Sequence, residues 1–244
     1  MPRFFADECN ITDKEIRIIG EDAYHIARSL RMAVGDYVTV SDGKGSDYYC
    51  SLSSIHDDVC VCDIINEERS DVEPRCHITL FMAYPKGDKL EVVVQKAVEL
   101  GASEIIPFES SRCIKRPKAE RQERITERLN KIAKEAAKQS GRAILPTVRP
   151  SVSFDKMLEL ASERELALFC YESEEGKTLK DAIGGKAIPK SLACIVGCEG
   201  GFSREEADAA IARGVVSVSL GKRILRCETA PDFILSALEY EFEL

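Results

Sequence analysis

Residues Leu192–Thr229 read LACIVG, CEGGFS, REEADAAIARG, VVSVSL and GKRILRCET in succession. Leu192 to Val196 is an unbroken apolar run of strand length, and Gly197, Gly200 and Gly201 stop it. Ser203 has the chemistry of a helix N-cap, and Glu206, three residues on, that of its capping-box partner. Ala207, Ala210 and Ile211 give the predicted helix an apolar face, and Gly214 ends it. Val215 to Leu220 reads as a second buried strand, broken by Gly221 and followed by Lys222, Arg223 and Arg226. Two consecutive strands therefore end in glycine loops. Open α/β sheets bind ligands beyond the carboxyl ends of their strands, so the pattern predicts two loops walling one pocket.

A glycine-rich turn between strand and helix usually suggests a phosphate cradle. This one lacks both G-x-G-x-x-G and G-x-x-x-x-G-K-[ST], and Glu199 would bring a negative charge to the phosphate position. A ligand that is neutral or cationic on that side suits it better. S-adenosylmethionine has that character, with an uncharged adenine and a sulfonium. The glycines would then let main-chain groups approach the adenine edge without Cβ atoms in the way.

GCEGGFS followed by SLGKRILRCETA resembles the C-terminal signature of the SPOUT methyltransferases, and within them the ribosomal RNA small subunit methyltransferase E family. VQKAVELGASEIIPFESSRC, IAKEAAKQSGR and HIARSLRMAVGD are similar to further family blocks, in the same order. The resemblance implies a PUA-like small β-barrel ahead of an α/β domain whose C-terminal segment threads a loop as a deep trefoil knot. It also implies a homodimer with the C-terminal helix in its interface, and methylation of uridine N3 in 16S rRNA. Cys198 stands where the family usually has Pro, and Cys227 where it usually has Thr.

The 244 residues are 44% hydrophobic and 31% charged, a composition suited to one large or two modest soluble domains. No apolar run approaches the roughly 20 residues that a membrane helix needs, and MPRFFADECN has no signal-peptide core. The ten cysteines are scattered, which points to reduced thiols and a cytoplasmic location. Cys60, Cys62, Cys76 and His77 lack paired C-x-x-C spacing, so no metal is expected. Net charge is −8, yet Arg112–Arg142 holds eleven Lys and Arg against four Asp and Glu. A basic segment on an acidic body is the asymmetry that phosphate binding predicts; a solvated helix face reads equally well.

Along the chain, residues 1–70 read as a small β-rich domain. It has a strand over Ile16–Ile19, a helix capped by Asp22, a hairpin turning at Asp42-Gly43-Lys44-Gly45 and a further strand VCVCDII. His25, Arg28 and Arg31 lie three apart and share a face, as RNA contacts or as plain surface. Asn66–Arg75 reads as the linker. Residues 71–244 then alternate strands and helices, which predicts a parallel sheet. Asp88 and Glu91 open one helix as cap and box partner. A long basic helix spans Glu120–Ser140, and a last helix presents Phe233, Ile234, Ala237 and Leu238.

For the chemistry, Arg226 is the candidate to stabilise charge on the uracil, and Glu199 or Glu228 the candidate base or a loop anchor. The cofactor site comprises Cys170, Tyr171, Val196, Gly197, Glu199, Gly200, Leu220, Gly221, Ile224 and Leu225, with Leu220, Ile224 and Leu225 sandwiching the adenine. RNA contacts are expected at His25, Arg28, Arg31, Arg112, Lys115, Arg116 and Arg142, with 16S rRNA or the assembled small subunit as partner. Two alternatives stay open on sequence: methylation of a ribose 2′-OH or another base, and a non-catalytic rRNA-binding assembly factor.

Overall fold

The computed structural model describes all residues except Lys115, Arg116 and Lys118. It has two compact units, Met1–Glu73 with Ala137–Leu145, and Pro74–Ala136 with Pro146–Leu244.

The first unit is a half-barrel. Strands β1 (Arg3–Phe5), β2 (Glu15–Ile19), β3 (Tyr37–Ser41), β4 (Ser46–Ile55) and β5 (Val59–Arg69) form one sheet in the order β1-β3-β4-β5-β2. Alternating residues point inward, as in a sheet with one solvated face, so Ile16, Ile18, Val38, Val40, Leu52, Cys60 and Cys62 make the core. The predicted hairpin turn is present: Asp42 Oδ1 accepts the N–H groups of Lys44 at 2.7 Å and Ser46 at 3.0 Å. Two expectations are corrected here. The charged run Asn66–Arg69 is not linker but the end of β5, paired with Ser46–Tyr49. Helix α1 (Glu21–Tyr24), which continues as a π-turn over His25–Ser29, is capped at Gly20 and not at Asp22. Asp22 instead takes the Lys138 ammonium at 2.5 Å.

The second unit is a parallel sheet carrying helices. Its strands are β6 (His77–Ala83), β7 (Glu104–Glu109), β8 (Thr147–Val148), β9 (Val152–Ser153), β10 (Leu166–Cys170), β11 (Ser191–Val196) and β12 (Val216–Val218). The order is β12-β10-β11-β6-β7-β8, with β9 also on β7. Strand β11 lies inside the sheet between β6 and β10, which explains why five of its six residues are buried apolar ones. The helices are α2 (Lys89–Glu99), α3 (Ala119–Ser140), α4 (Phe154–Ser162), α5 (Leu179–Ile183), α6 (Arg204–Ala212) and α7 (Thr229–Phe242). Asp88 does precede α2, but its side chain makes no cap bond, and Glu91 pairs with Arg128 at 2.8 Å. Ile211, expected on the buried face of α6, is 52% exposed, and Phe233 of the apolar stripe on α7 is 44% exposed. Ala207 and Ala210 bury α6, and Ile234, Leu235, Leu238 and Phe242 bury α7.

The chain after β10 embraces the chain after β12. Tyr171 N–H donates to Val218 O at 3.1 Å on one side. On the other, Ser219 N–H donates to Lys177 O at 2.8 Å and Leu179 N–H donates to Ser219 O at 3.0 Å. The segment after β12 thus lies between Tyr171 on one side and Lys177–Leu179 on the other, before α7 returns to pack on α2, α5 and β11.

Candidate active site

The first glycine loop, residues 197–201, is fixed from below by Phe202. This ring is 1% exposed and lies 4.1 Å from Phe169, centroid to centroid, within a cluster that includes Phe108 and Phe154. Its glycines are needed for the loop's own packing. A Cβ on Gly197 would sit 3.1 Å from Phe202 Cε2 and 3.2 Å from Gly201 Cα. Gly201 has φ +62°, and a Cβ there would fall 2.0 Å from Glu172 Oε1. At Gly200 a Cβ would meet Arg112 Cβ at 3.0 Å. The missing side chains therefore make room for protein atoms as well. The Ser203–Glu206 capping box is formed, with Glu206 N–H to Ser203 Oγ at 3.2 Å and Ser203 N–H to Glu206 Oε2 at 2.9 Å.

The second loop runs from Ser219 to Glu228. Gly221 has φ +115°, and its N–H donates to Ser219 Oγ at 3.3 Å. The Arg226 carbonyl accepts the N–H groups of Thr229 at 2.9 Å and Ala230 at 3.0 Å, so Arg226 sits where α7 begins. Between the loops lies a cavity of about 460 Å³. All ten residues expected at the cofactor site line it, Cys170, Tyr171, Val196, Gly197, Glu199, Gly200, Leu220, Gly221, Ile224 and Leu225, and so does Arg226. Leu220 and Leu225 are half-buried, whereas Ile224 is 79% exposed on the rim.

Lys89, the first residue of α2, reaches both loops. Its Nζ lies 3.1 Å from Glu199 Oε1, 3.0 Å from Glu228 Oε2 and 3.8 Å from Cys227 Sγ. Glu199 also accepts the Lys86 N–H at 3.1 Å. Burial alone would raise the Glu199 carboxyl, but its own backbone N–H, that of Lys86 and the Lys89 ammonium outweigh it and hold it low. At Glu228, its own backbone N–H and then Lys89 bring the carboxyl down to about 2. The Lys89 ammonium is stabilised in turn, so both carboxylates are ionised near neutral pH.

The residues expected to meet RNA are placed unequally. His25 and Arg31 are exposed, the latter at φ +52°. Arg28 is exposed and paired with Asp57 at 2.5 Å. Arg112 is exposed, and its Nη1 donates to Gly200 O at 2.8 Å, tying it to the glycine loop. Lys115 and Arg116 lie outside the described residues. Arg142 corrects the expectation: it is 4% exposed, and its Nε and Nη2 donate to Glu73 Oε2 at 3.1 and 2.7 Å. Its guanidinium faces inward and is engaged by protein.

Residues 72–239 match the model of the RNA methyltransferase domain, and residues 18–65 that of the RNA methyltransferase PUA domain. The chain is 34% identical to ribosomal RNA small subunit methyltransferase E of Bacillus subtilis, over 100% of this chain and 98% of that one. It is 31% identical to the Synechocystis protein of the same name, over 93% and 74% of the two chains. The crystal structure of ribosomal RNA small subunit methyltransferase E from Neisseria gonorrhoeae, bound to S-adenosyl methionine, superposes with a TM-score of 0.86 at 31% identity, covering 98% of this chain and 97% of that one. The chain belongs to the ribosomal RNA small subunit methyltransferase E family. The half-barrel is the PUA-like part of the family's architecture, and the parallel sheet with its helices the methyltransferase part.

Three residues that shape the site in this family member escaped the sequence reading. Phe202 and Lys89 carried no assigned role in the sequence, and Glu206 only that of a capping-box partner. Only Lys89 carried a local signal. A cation in the first turn of a helix opposes the helix dipole, so its placement there implied nearby carboxylates.

Proposed function

We propose that this protein transfers a methyl group from S-adenosylmethionine to N3 of a uridine in 16S rRNA, in the cytoplasm and as a homodimer. The observation that carries the reading is the cavity between the two glycine loops, in a chain of this family. Its volume suits a nucleoside-sized ligand. Its walls combine apolar side chains (Val196, Leu220, Leu225) with main-chain groups at the ends of β10 and β11. Glu199 stands where a phosphate would need a donor, so the residues fit a phosphate-free nucleoside. Ile224, exposed on the rim, would gain cover from a bound adenine.

When bound, the sulfonium supplies an electrophilic methyl group. The task left to the chain is to hold the acceptor atom in line with it and to stabilise the charge that develops on the uracil. We assign the second role to Arg226, an exposed cation on the pocket wall next to the start of α7. Glu199 and Glu228 are ion-paired with Lys89, and a carboxylate held near the acidity of Glu228 is a weak base for a uridine imide. We therefore assign both to anchoring the loops, with the imide proton passing to solvent. RNA contacts fall to His25, Arg28 and Arg31 of the half-barrel and to Arg112, Lys115 and Arg116 of the methyltransferase unit.

The test is nucleoside mass spectrometry of 16S rRNA from a strain lacking this gene. Loss of 3-methyluridine, restored by the wild-type gene and not by an Arg226→Ala copy, is expected. Unchanged 3-methyluridine refutes the assignment, and loss of a ribose-methylated nucleoside in its place redirects it.

A further inference from the structure

Lys89 is a single side chain that touches both walls of the cavity, and it arrives from neither wall. It is the first residue of α2, the helix that follows β6. The first wall offers Glu199 and the second Glu228, one ammonium–carboxylate contact each, at 3.1 and 3.0 Å. The Lys86 N–H adds a second bond from the same turn to Glu199. Each loop has its own internal bonds, Gly201 N–H to Cys198 O at 2.9 Å in one and Thr229 N–H to Arg226 O at 2.9 Å in the other. Those bonds shape each wall but say nothing about the gap between them.

The local charges also call for a cation. Two carboxylate oxygens that share one nitrogen lie close to each other. Without Lys89 their repulsion would push the loops apart. At 36% side-chain exposure the ammonium remains partly hydrated, so its attraction is screened in part, yet its position between two charges of opposite sign is fixed by both.

We infer that Lys89 is a positioning residue of the methyl-transfer site, setting the spacing of the two glycine loops through Glu199 and Glu228. The inference rests on the reading of the cavity as the S-adenosylmethionine site. It assigns no contact between Lys89 and the donor or the RNA.

The test uses the full-length protein and three forms: wild type, Lys89→Met and Lys89→Arg. Donor binding is measured by calorimetry between about pH 5.5 and 8, and amide exchange by mass spectrometry on residues 197–201 and 219–228. Lys89→Met should weaken S-adenosylmethionine at least tenfold near neutral pH and speed exchange in both loops. Its affinity should recover as the pH is lowered, because protonating one of two unpaired neighbouring carboxylates removes their repulsion. Lys89→Arg should restore affinity to within a few-fold, with the flat pH profile of the wild type. A side chain that merely filled space would give Lys89→Met no such pH dependence. Wild-type affinity and exchange in Lys89→Met overturn the inference, as does a tenfold loss that Arg does not rescue and pH does not change. Should Lys89→Met not fold, Lys89→Arg against Lys89→Gln decides by the same criteria. A wild type that binds no donor refutes the reading of the cavity, and the exchange data then decide alone whether Lys89 couples the loops.

Discussion

Glu206 Oε1 accepts the backbone N–H of Ser111 at 2.7 Å, across 95 residues of sequence. The same carboxylate closes the capping box on Ser203 at 2.9 Å. One 7%-exposed side chain thereby starts α6, and with it the far end of the first glycine loop, while holding the chain that leaves β7. Glu206→Ala removes the reciprocal half of the capping box, leaving Ser203 Oγ on the residue 206 N–H, and takes the acceptor from the Ser111 N–H. Together these should cost about 2–3 kcal/mol. Glu206→Gln keeps an acceptor oxygen and should cost clearly less. Urea unfolding of the three forms checks the order.

Arg142 and Glu73 make a second prediction within the half-barrel unit. Glu73 accepts Arg142 through Oε2, and through Oε1 it takes the N–H groups of Ala143 and Ile144, both at 2.9 Å. The Arg142 side chain is 5% exposed and that of Glu73 14%, so removing the guanidinium takes from a largely covered carboxylate its charge partner. Arg142→Ala should destabilise the protein by about 3–5 kcal/mol. If Arg142 were an RNA contact, the substitution would spare stability and weaken RNA binding. Thermal unfolding and RNA titration of one preparation separate the two outcomes.

The contrast between these residues explains what the sequence made legible. The Ser203–Glu206 box, the hairpin turn at Asp42–Gly45 and the buried strand Leu192–Val196 are local devices, decided within a few residues, and a local reading finds them. Short β8 and β9, flanked by Pro146 and Pro150, carry too little pattern to be read as strands; pairing with β7, distant in sequence, defines them. Arg142 counts as a positive charge in any one-dimensional tally. Its burial depends on Glu73, 69 residues earlier. The residues that line the cavity were legible because they follow strand ends. Their tie, Lys89, was missed because its partners lie more than a hundred residues away. The glycines also have neighbours that the sequence did not show: Phe202 packs where a Cβ on Gly197 would sit, Arg112 beside Gly200 and Glu172 beside Gly201.

A pH prediction follows from Glu228. An unfolded-chain glutamate titrates near about 4.3, and its own backbone N–H and Lys89 lower it to about 2 in the folded protein. A depressed carboxyl stabilises the fold above its unfolded value, and this contribution fades as the pH falls through the folded one. The difference in unfolding free energy between wild type and Glu228→Gln should be constant from about pH 7 to 5 and shrink steadily toward pH 2. Denaturant titrations at half-unit intervals measure it. A difference that stays constant below about pH 4 would show that the Lys89–Glu228 pair contributes nothing in solution.

The cavity also presents three thiols of unequal acidity. Burial pushes Cys170 up to about 12, and burial with the Glu228 carboxylate does the same for Cys227. Cys198 is shifted the other way. The Cys113 thiol donates to it, and the Gly200 N–H and the Ser110 hydroxyl, 3.8 Å away, add to the stabilisation of its anion. The thiolate is the nucleophile toward alkylating agents. Near neutral pH, iodoacetamide should therefore modify Cys198 ahead of Cys170 and Cys227, as read by peptide mass spectrometry, which also separates the exposed Cys9. Because Cys198 lines the cavity, saturating S-adenosylmethionine should slow that modification severalfold and leave Cys9 unaffected. Cys113→Ala removes the main donor, so it should slow alkylation of Cys198 at pH 7 and narrow the difference at pH 9. Alkylation of Cys227 first, or equal rates at Cys198 with and without the donor, would contradict the assigned geometry.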